Sequence, residues 1–181
     1  MIITLRAATP ADAPAVAALH AESWRFAYRA AYSDEYLDGP VFEDRARVWH
    51  ERMSSPKPNQ HVVLAEDGNE LTGFICAYGT DDKQWGSLID NLHVRPALHR
   101  RGIGRRLLAE VAAWNLVEHP GSGVYLWVLD QNTRAQAFYQ NLGARDVGSK
   151  RTVPPGGGST VARRYAWSPQ QLPGLAETLP E

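Results

Sequence analysis

Two segments of the chain carry residue types and spacings that can do chemistry. The first runs Leu92-His-Val-Arg-Pro-Ala-Leu-His-Arg-Arg-Gly102-Ile-Gly104-Arg-Arg-Leu-Leu108. An apolar stretch enters a Pro-interrupted loop, and two glycines one residue apart open an amphipathic run. Glycine lets backbone approach a ligand closely, and the unsatisfied amides of a helix start point at whatever sits there. Residues 91–109 hold five Arg, two His and no acid, which suits a phosphorylated ligand; a solvated Arg-rich helix turn has the same composition. A dinucleotide fingerprint needs a third glycine where Leu107 stands, and the Gly-x4-Gly-Lys-Ser/Thr loop is absent. The second segment is Val124-Tyr-Leu-Trp-Val-Leu-Asp-Gln-Asn132-Thr-Arg-Ala135-Gln-Ala-Phe138-Tyr139-Gln-Asn-Leu-Gly143-Ala144. There Asn132 reads as a helix N-cap, and Phe138 and Tyr139 as packing aromatics.

The elements that must position these segments follow from periodicity and breakers. A strand is expected at 2–6. Thr9-Pro10-Ala11-Asp12 then starts an Ala-rich helix running to about Glu22. Further helices are predicted from Trp24 to Ala31 and from Phe42 to Met53, the latter ending before Pro56. Strands at 61–66 and 71–78 flank the hairpin signal Asp67-Gly68-Asn69, and another spans 85–94. A helix at 102–118, a buried strand at 124–129 and a helix at 132–142 follow. Two extended segments, 144–153 and 160–167, enclose Pro154-Pro155-Gly156-Gly157-Gly158, a hairpin tip or a flap. The order implies an α/β (α+β) domain on a mixed sheet, with strands 85–94 and 124–129 parallel because a helix links them. Residues 1–168 form one domain, and 169–181 a poorly packed C-terminal extension.

Composition narrows the function classes. Of 181 residues, 19 are Lys or Arg and 20 are Asp or Glu, a net charge of −1. Outside residues 91–109 the balance is 14 basic against 20 acidic residues, a poor surface for nucleic acid. No apolar run approaches a membrane span and no export signal is visible, so a cytoplasmic protein is expected. A single Cys76 and six scattered His offer neither a disulfide framework nor a metal-ligand spacing.

Together the two segments resemble the GNAT superfamily of acetyl-CoA-dependent N-acetyltransferases. That family has a strand, a Pro, then Gln/Arg-x-x-Gly-x-Gly/Ala opening a helix, followed by a strand and Asn-x-x-Ala-x-x-Phe-Tyr-x-x-x-Gly. The second motif matches at Asn132, Ala135, Phe138, Tyr139 and Gly143; in the first, His99 stands where Gln or Arg is usual. The resemblance covers Ile2 to Trp167. It implies a mostly antiparallel sheet of about seven strands, splayed at two parallel ones, with acetyl-CoA as co-substrate in the cleft and no metal. Leu92, His93 and Val94 would pair with the pantetheine through their backbone. Arg100, Arg101, Gly102, Ile103, Gly104 and Arg105 would wrap the pyrophosphate, and Asn132 would hold the cofactor's arm. Tyr139 would protonate the leaving thiolate, and an amide beside a bulge in strand 85–94 would stabilise the oxyanion.

Asp90 and His93 are candidate bases for the acceptor amine, directly or through water, and alternation puts their side chains on opposite faces. Trp24, Tyr28, Tyr32 and Tyr36 recur every four residues. If one helix carried them, they would form a core stripe or an aromatic acceptor wall. In the second case Glu22, Asp34 or Glu35 would attract a cationic amine. The acceptor is expected to be a small-molecule amine or a protein amino group, with no nucleic-acid or membrane partner, and the chain a monomer or homodimer. The competing expectations are a non-catalytic acyl-CoA-sensing module and a toxin that acetylates aminoacyl-tRNA.

Overall fold

Alternating burial divides the sheet into two faces, each covered by different helices. The computed structural model describes residues 2–177. Seven strands form: β1 (Ile3–Ala7), β2 (Gln60–Asp67), β3 (Glu70–Asp82), β4 (Gly86–Val94), β5 (Val124–Leu129), β6 (Arg145–Thr152) and β7 (Thr160–Trp167). They make one sheet in the order β1-β2-β3-β4-β5-β7-β6. Every neighbouring pair is antiparallel except β4 and β5. Those two run parallel across the connection through α4 (Ile103–Glu118). On one face Phe74, Cys76 and Tyr78 of β3 pack against α1 (Ala13–Ala27) and α3 (Val41–Ser54) through Val16, Leu19, Trp49 and Met53. On the other, Ile75 and Ala77 meet Ile103, Leu107 and Val111 of α4.

The parallel pair is short. β4 and β5 are in register only at Ser87–Val124, Leu88–Tyr125 and Ile89–Leu126. Beyond these the strands run apart to Val94 and Leu129. The cause lies on the opposite edge of β4. Against β3, Cys76 faces Asn91 while Ala77 faces Ile89, so Asp90 is an extra, bulged residue. A bulge bends its strand and sharpens the local twist, which peels the second half of β4 away from β5.

The bulge also resets alternation. Ile89 and then Leu92 and Val94 pack on the α4 side. Asp90 and Asn91 both reach Arg52 of α3, and His93 bonds Ser23 of α1. Asp90 and His93 therefore share one face, correcting the expectation from simple alternation.

The helices before β2 also differ from the periodicity reading. The apolar spacing Ala13, Val16, Ala17, His20, Ala21, Trp24 runs through Glu22 without a break, so one helix, α1, replaces the expected two. The Thr9–Asp12 capping box forms on a single 3-10 turn ahead of it. α1 stops at Ala27, and α2 is only Asp34–Asp38, so no helix face carries Trp24, Tyr28, Tyr32 and Tyr36. Their rings converge all the same, with centroids 5.1 Å apart for Trp24–Tyr32 and 5.0 Å for Tyr28–Tyr32.

The segment after Ser168 is not a loose extension as far as Glu177. A second capping box, Ser168 with Gln171, leads into α6 (Leu172–Ala176). Leu172 and Leu175 are buried in the α4-side core, and the Gln171 side chain donates to the Gly143 carbonyl at 2.7 Å. Residues 178–181 of the expected extension lie outside the described residues. A buried Leu truncated to Ala costs about 2–5 kcal/mol. Leu172→Ala should lower stability by that amount in urea unfolding, whereas a change below about 0.5 kcal/mol, the range of a surface substitution, would show that α6 is a loose appendage.

Candidate active site

A cavity of about 980 Å³ runs through the gap between β4 and β5, opening on both faces of the sheet. On the α4 face it is walled by Leu92, Val94, the start of α4 and helix α5 (Thr133–Asn141). On the opposite face Trp24, Tyr28, Tyr32, Trp127, Lys150 and Pro154-Pro155 close around it.

The α4 lobe gathers backbone amides and cationic side chains. Arg100 and Gly102 both adopt left-handed backbone, with φ of 65° and 80°. This curls the loop into the kind of nest whose successive amides gather on an anion. Gly102 is also the N-cap of α4 and offers no side chain to the first-turn amides, which leaves them for a ligand. A Cβ on Gly104 would lie 3.4 Å from the Phe138 ring, an ordinary contact, so α5 packs against the start of α4 with room for no more than a small side chain. Arg100, Gly102, Ile103, Gly104 and Arg105 line the lobe; the Arg101 side chain is exposed and does not. Arg106 instead donates to the Ile3 carbonyl at 2.8 Å. His99 is structural: its Nε2 donates to the Val94 carbonyl at 3.0 Å and its ring meets Phe26 edge-on. That bond holds the loop against the end of β4.

Across the gap stands α5. Asn132 caps it by accepting the Ala135 amide at 3.2 Å through Oδ1, and the residue lines the cavity. Tyr139 is buried, with its ring against Phe138, Tyr165 and Trp167, and no described residue bonds its hydroxyl. Burial first, and Tyr28 second, push the Tyr139 phenol above its ordinary range, so it is fully protonated near neutrality. Tyr28 faces it from the other lobe, and burial raises its hydroxyl to about 12.

The two candidate bases line the same stretch of wall in different states. Asp90 forms a 2.6 Å ion pair with Arg52, and the same Arg52 nitrogen donates to Asn91 at 2.8 Å. His93 is buried, its Nδ1 at 2.8 Å from the Ser23 hydroxyl and its ring 4.4 Å from that of His20. Burial, then the charge of Arg45, pushes the His93 imidazole down to about 3. His20 is also held neutral by burial; its Nδ1 accepts the Trp49 indole N–H at 2.8 Å.

The acidic residues assigned to attract an amine are elsewhere. Glu22 lies 3.6 Å from Arg95, and Asp34 lies 2.8 Å from Arg29. Neither lines the cavity, and nor does Glu35. Trp24 and Tyr28 do line it, as expected. The hairpin tip is docked rather than idle: a Cβ on Gly156 (φ 90°) would fall 2.6 Å from Tyr36. Sequence reasoning missed Ser23, Arg52, Trp127 and Lys150. Only Trp127 had a local signal, its place opposite Leu126 in strand alternation.

The sequence from residue 16 to 144 matches the model of the acetyltransferase (GNAT) family. The chain belongs to that family. A probable N-acetyltransferase of Mycobacterium tuberculosis is 30% identical over 163 residues, covering 88% of this chain and 89% of the relative. Among solved structures, the PaiA N-acetyltransferase of Thermoplasma acidophilum in complex with coenzyme A superposes with a TM-score of 0.70 at 22% identity. That match covers 92% of this chain and 100% of the other. A putative acetyltransferase of Salmonella typhimurium with acetyl-CoA gives 0.64 at 18%, over 93% and 94% of the two chains. As a GNAT protein the chain is an acetyl-CoA-dependent acyltransferase. Among the described residues no His, Cys, Asp and Glu side chains gather in threes, and burial raises the Cys76 thiol to about 12, far from a thiolate nucleophile.

The buried histidines make stability depend on pH. A histidine whose folded value lies below its unfolded one contributes stability above about pH 6.5, lost as pH falls toward the folded value. Urea midpoints should therefore drop between about pH 6.5 and 5, where most carboxylates remain ionised. His93→Gln should flatten that slope by about one proton, up to ~1.4 kcal/mol per pH unit. An unchanged slope would mean that His93 is protonated in the folded protein.

Proposed function

We propose that the protein transfers an acetyl group from acetyl-CoA to a primary amine by direct attack, with Tyr139 as general acid. The observation that carries this is the cavity crossing the sheet, with an anion nest in one lobe and the uncommitted Tyr139 hydroxyl beside the gap. The residues present fit coenzyme A. The backbone from Arg100 to Gly104, with Arg100 and Arg105, would hold the pyrophosphate. The edge of β4 at Leu92–Val94, which β5 leaves unpaired and where the Val94 carbonyl already accepts from His99, would take the pantetheine amides. Asn132 would donate to the arm from its free amide hydrogens.

Acetyl-CoA supplies a thioester whose leaving thiolate has an ordinary pKa of about 8.5. A protonated phenol within hydrogen-bond reach can return the proton to it. The oxyanion would form where the Asp90 bulge turns a β4 amide out of the ladder. An imidazole held near 3 is a poor acceptor of a proton from an ammonium of about 10.4. The acceptor's proton therefore leaves to solvent water, with Asp90 committed to Arg52 and His93 shaping the wall as a neutral ring.

With acetyl-CoA saturating, Tyr139→Phe should lower kcat about a hundredfold, in the range for one acid–base group, and leave coenzyme A affinity intact. Equal rates would reduce Tyr139 to packing. Free-thiol release across an amine panel tests the whole reading; coenzyme A binding with no turnover of any amine would make the protein a sensing module. The pH profile of kcat/KM should rise with deprotonation of the acceptor and show no inflection near 6.5. An inflection there that His93→Gln removes would restore His93 as base.

A further inference from the structure

The lobe on the α1 side has an unmatched positive charge. Trp127 of β5 faces Arg164 of β7 directly across the ladder, and Lys150 of β6 is paired with Ala162 two residues along the same face. The Lys150 ammonium lies 4.0 Å and the Arg164 guanidinium 4.4 Å from the Trp127 ring centroid. Two like charges thus converge on one indole, and among the described residues neither has a carboxylate within ion-pair distance.

The carboxylates nearby are engaged. Asp81 accepts the Tyr125 hydroxyl at 2.6 Å, and Asp82 accepts the amides of Gln84 and Trp85. Among the described residues, Asp90 is the sole carboxylate in the cavity wall, and it is paired with Arg52. The cations of the other lobe, Arg100, Arg105 and Arg134, lie on the far side of the gap, where the phosphates would be. Lys150 and Trp127 line the near side with Trp24, Tyr28 and Tyr32.

We infer that the acceptor carries an anionic group, a carboxylate or a phosphate, besides its amine, and that Lys150 is the residue that reads it. An anion beside Lys150 relieves the like-charge convergence through a charge-assisted contact at the exposed mouth of the aromatic chamber. Trp127 supports the ammonium from beneath without neutralising it. The acids expected to attract a cationic amine do not line the cavity, and two of them, Glu22 and Asp34, are paired with Arg95 and Arg29. The inference rests on the acetyl-transfer reading.

The test is thiol release from acetyl-CoA with three acceptors of equal chain length: an ω-amino acid, the corresponding amino alcohol and the diamine. An aminoalkyl phosphate in parallel separates phosphate from carboxylate preference. In the wild type kcat/KM should be about tenfold or more higher for an anionic acceptor than for the diamine. In Lys150→Met the ratio of ω-amino acid to amino alcohol should fall about tenfold, through KM, and Lys150→Arg should restore it. Where the aminoalkyl phosphate is the preferred substrate, its ratio replaces that of the ω-amino acid. Both ratios are internal to each variant, so a loss of folded protein cannot mimic the effect. Turnover with the diamine preferred, or ratios unmoved by Lys150→Met, overturns the anionic acceptor and leaves acetyl transfer standing. Coenzyme A binding with no turnover of any acceptor overturns both.

Discussion

One extra residue in β4 organises the rest. Because Asp90 is bulged against β3, the second half of β4 turns away from β5, and the only parallel pair in the sheet ends after three residue pairs. Parallel strands are normally buried on both sides by their crossover helices. Here the ladder stops short, and the space it vacates becomes a passage from one face of the sheet to the other. The nest at the start of α4, the free edge at Leu92–Val94, the Tyr139 hydroxyl and the aromatic chamber all border that passage. Arg52 holds the bulge in place from α3 by bonding Asp90 and Asn91 with one nitrogen. The helix layer on one face thereby fixes the opening that serves both.

The passage gives the two halves of the site different electrostatics. The α4 lobe gathers helix-start amides and arginines. The α1 lobe has the neutral buried His93, aromatic walls and Lys150 over Trp127, with Arg164 behind the same indole. The near-zero net charge of the chain conceals this division. The surface acids are largely consumed by neighbouring arginines, as at Arg29 with Asp34 and Asp38 and at Arg6 with Asp12 and Glu66. Exposed pairs of this kind contribute little each.

Much of the fold was legible because its signals are local. Gly102 and Gly104 after a strand, Asn132 before Ala135, and the hydrophobic run Val124–Leu129 each state their structure within a few residues. What could not be read locally depends on pairing between distant segments. The bulge at Asp90 exists only in register with Cys76 and Ala77, and it moved Asp90 onto the face of His93. The four-residue spacing from Trp24 to Tyr36 pointed to a helix face, yet α1 ends at Ala27 and the rings meet through a loop. Likewise nothing local to Glu22 or Asp34 announces its arginine partner, Arg95 or Arg29. The tail from Pro169 reads as loose because it carries three Pro and no long periodic run, while Leu172 and Leu175 find the core only in three dimensions.

The central claim is that the passage between β4 and β5 is where coenzyme A and the acceptor meet, and a crystal structure with bound coenzyme A tests it most directly. The pyrophosphate should rest on the amides from Arg100 to Gly104, the pantetheine should pair with the β4 edge at Leu92–Val94, and the sulfur should stop within hydrogen-bond reach of the Tyr139 hydroxyl. A cofactor bound outside the passage, or a sulfur turned away from Tyr139 with β4 and β5 closed on each other, would contradict the account.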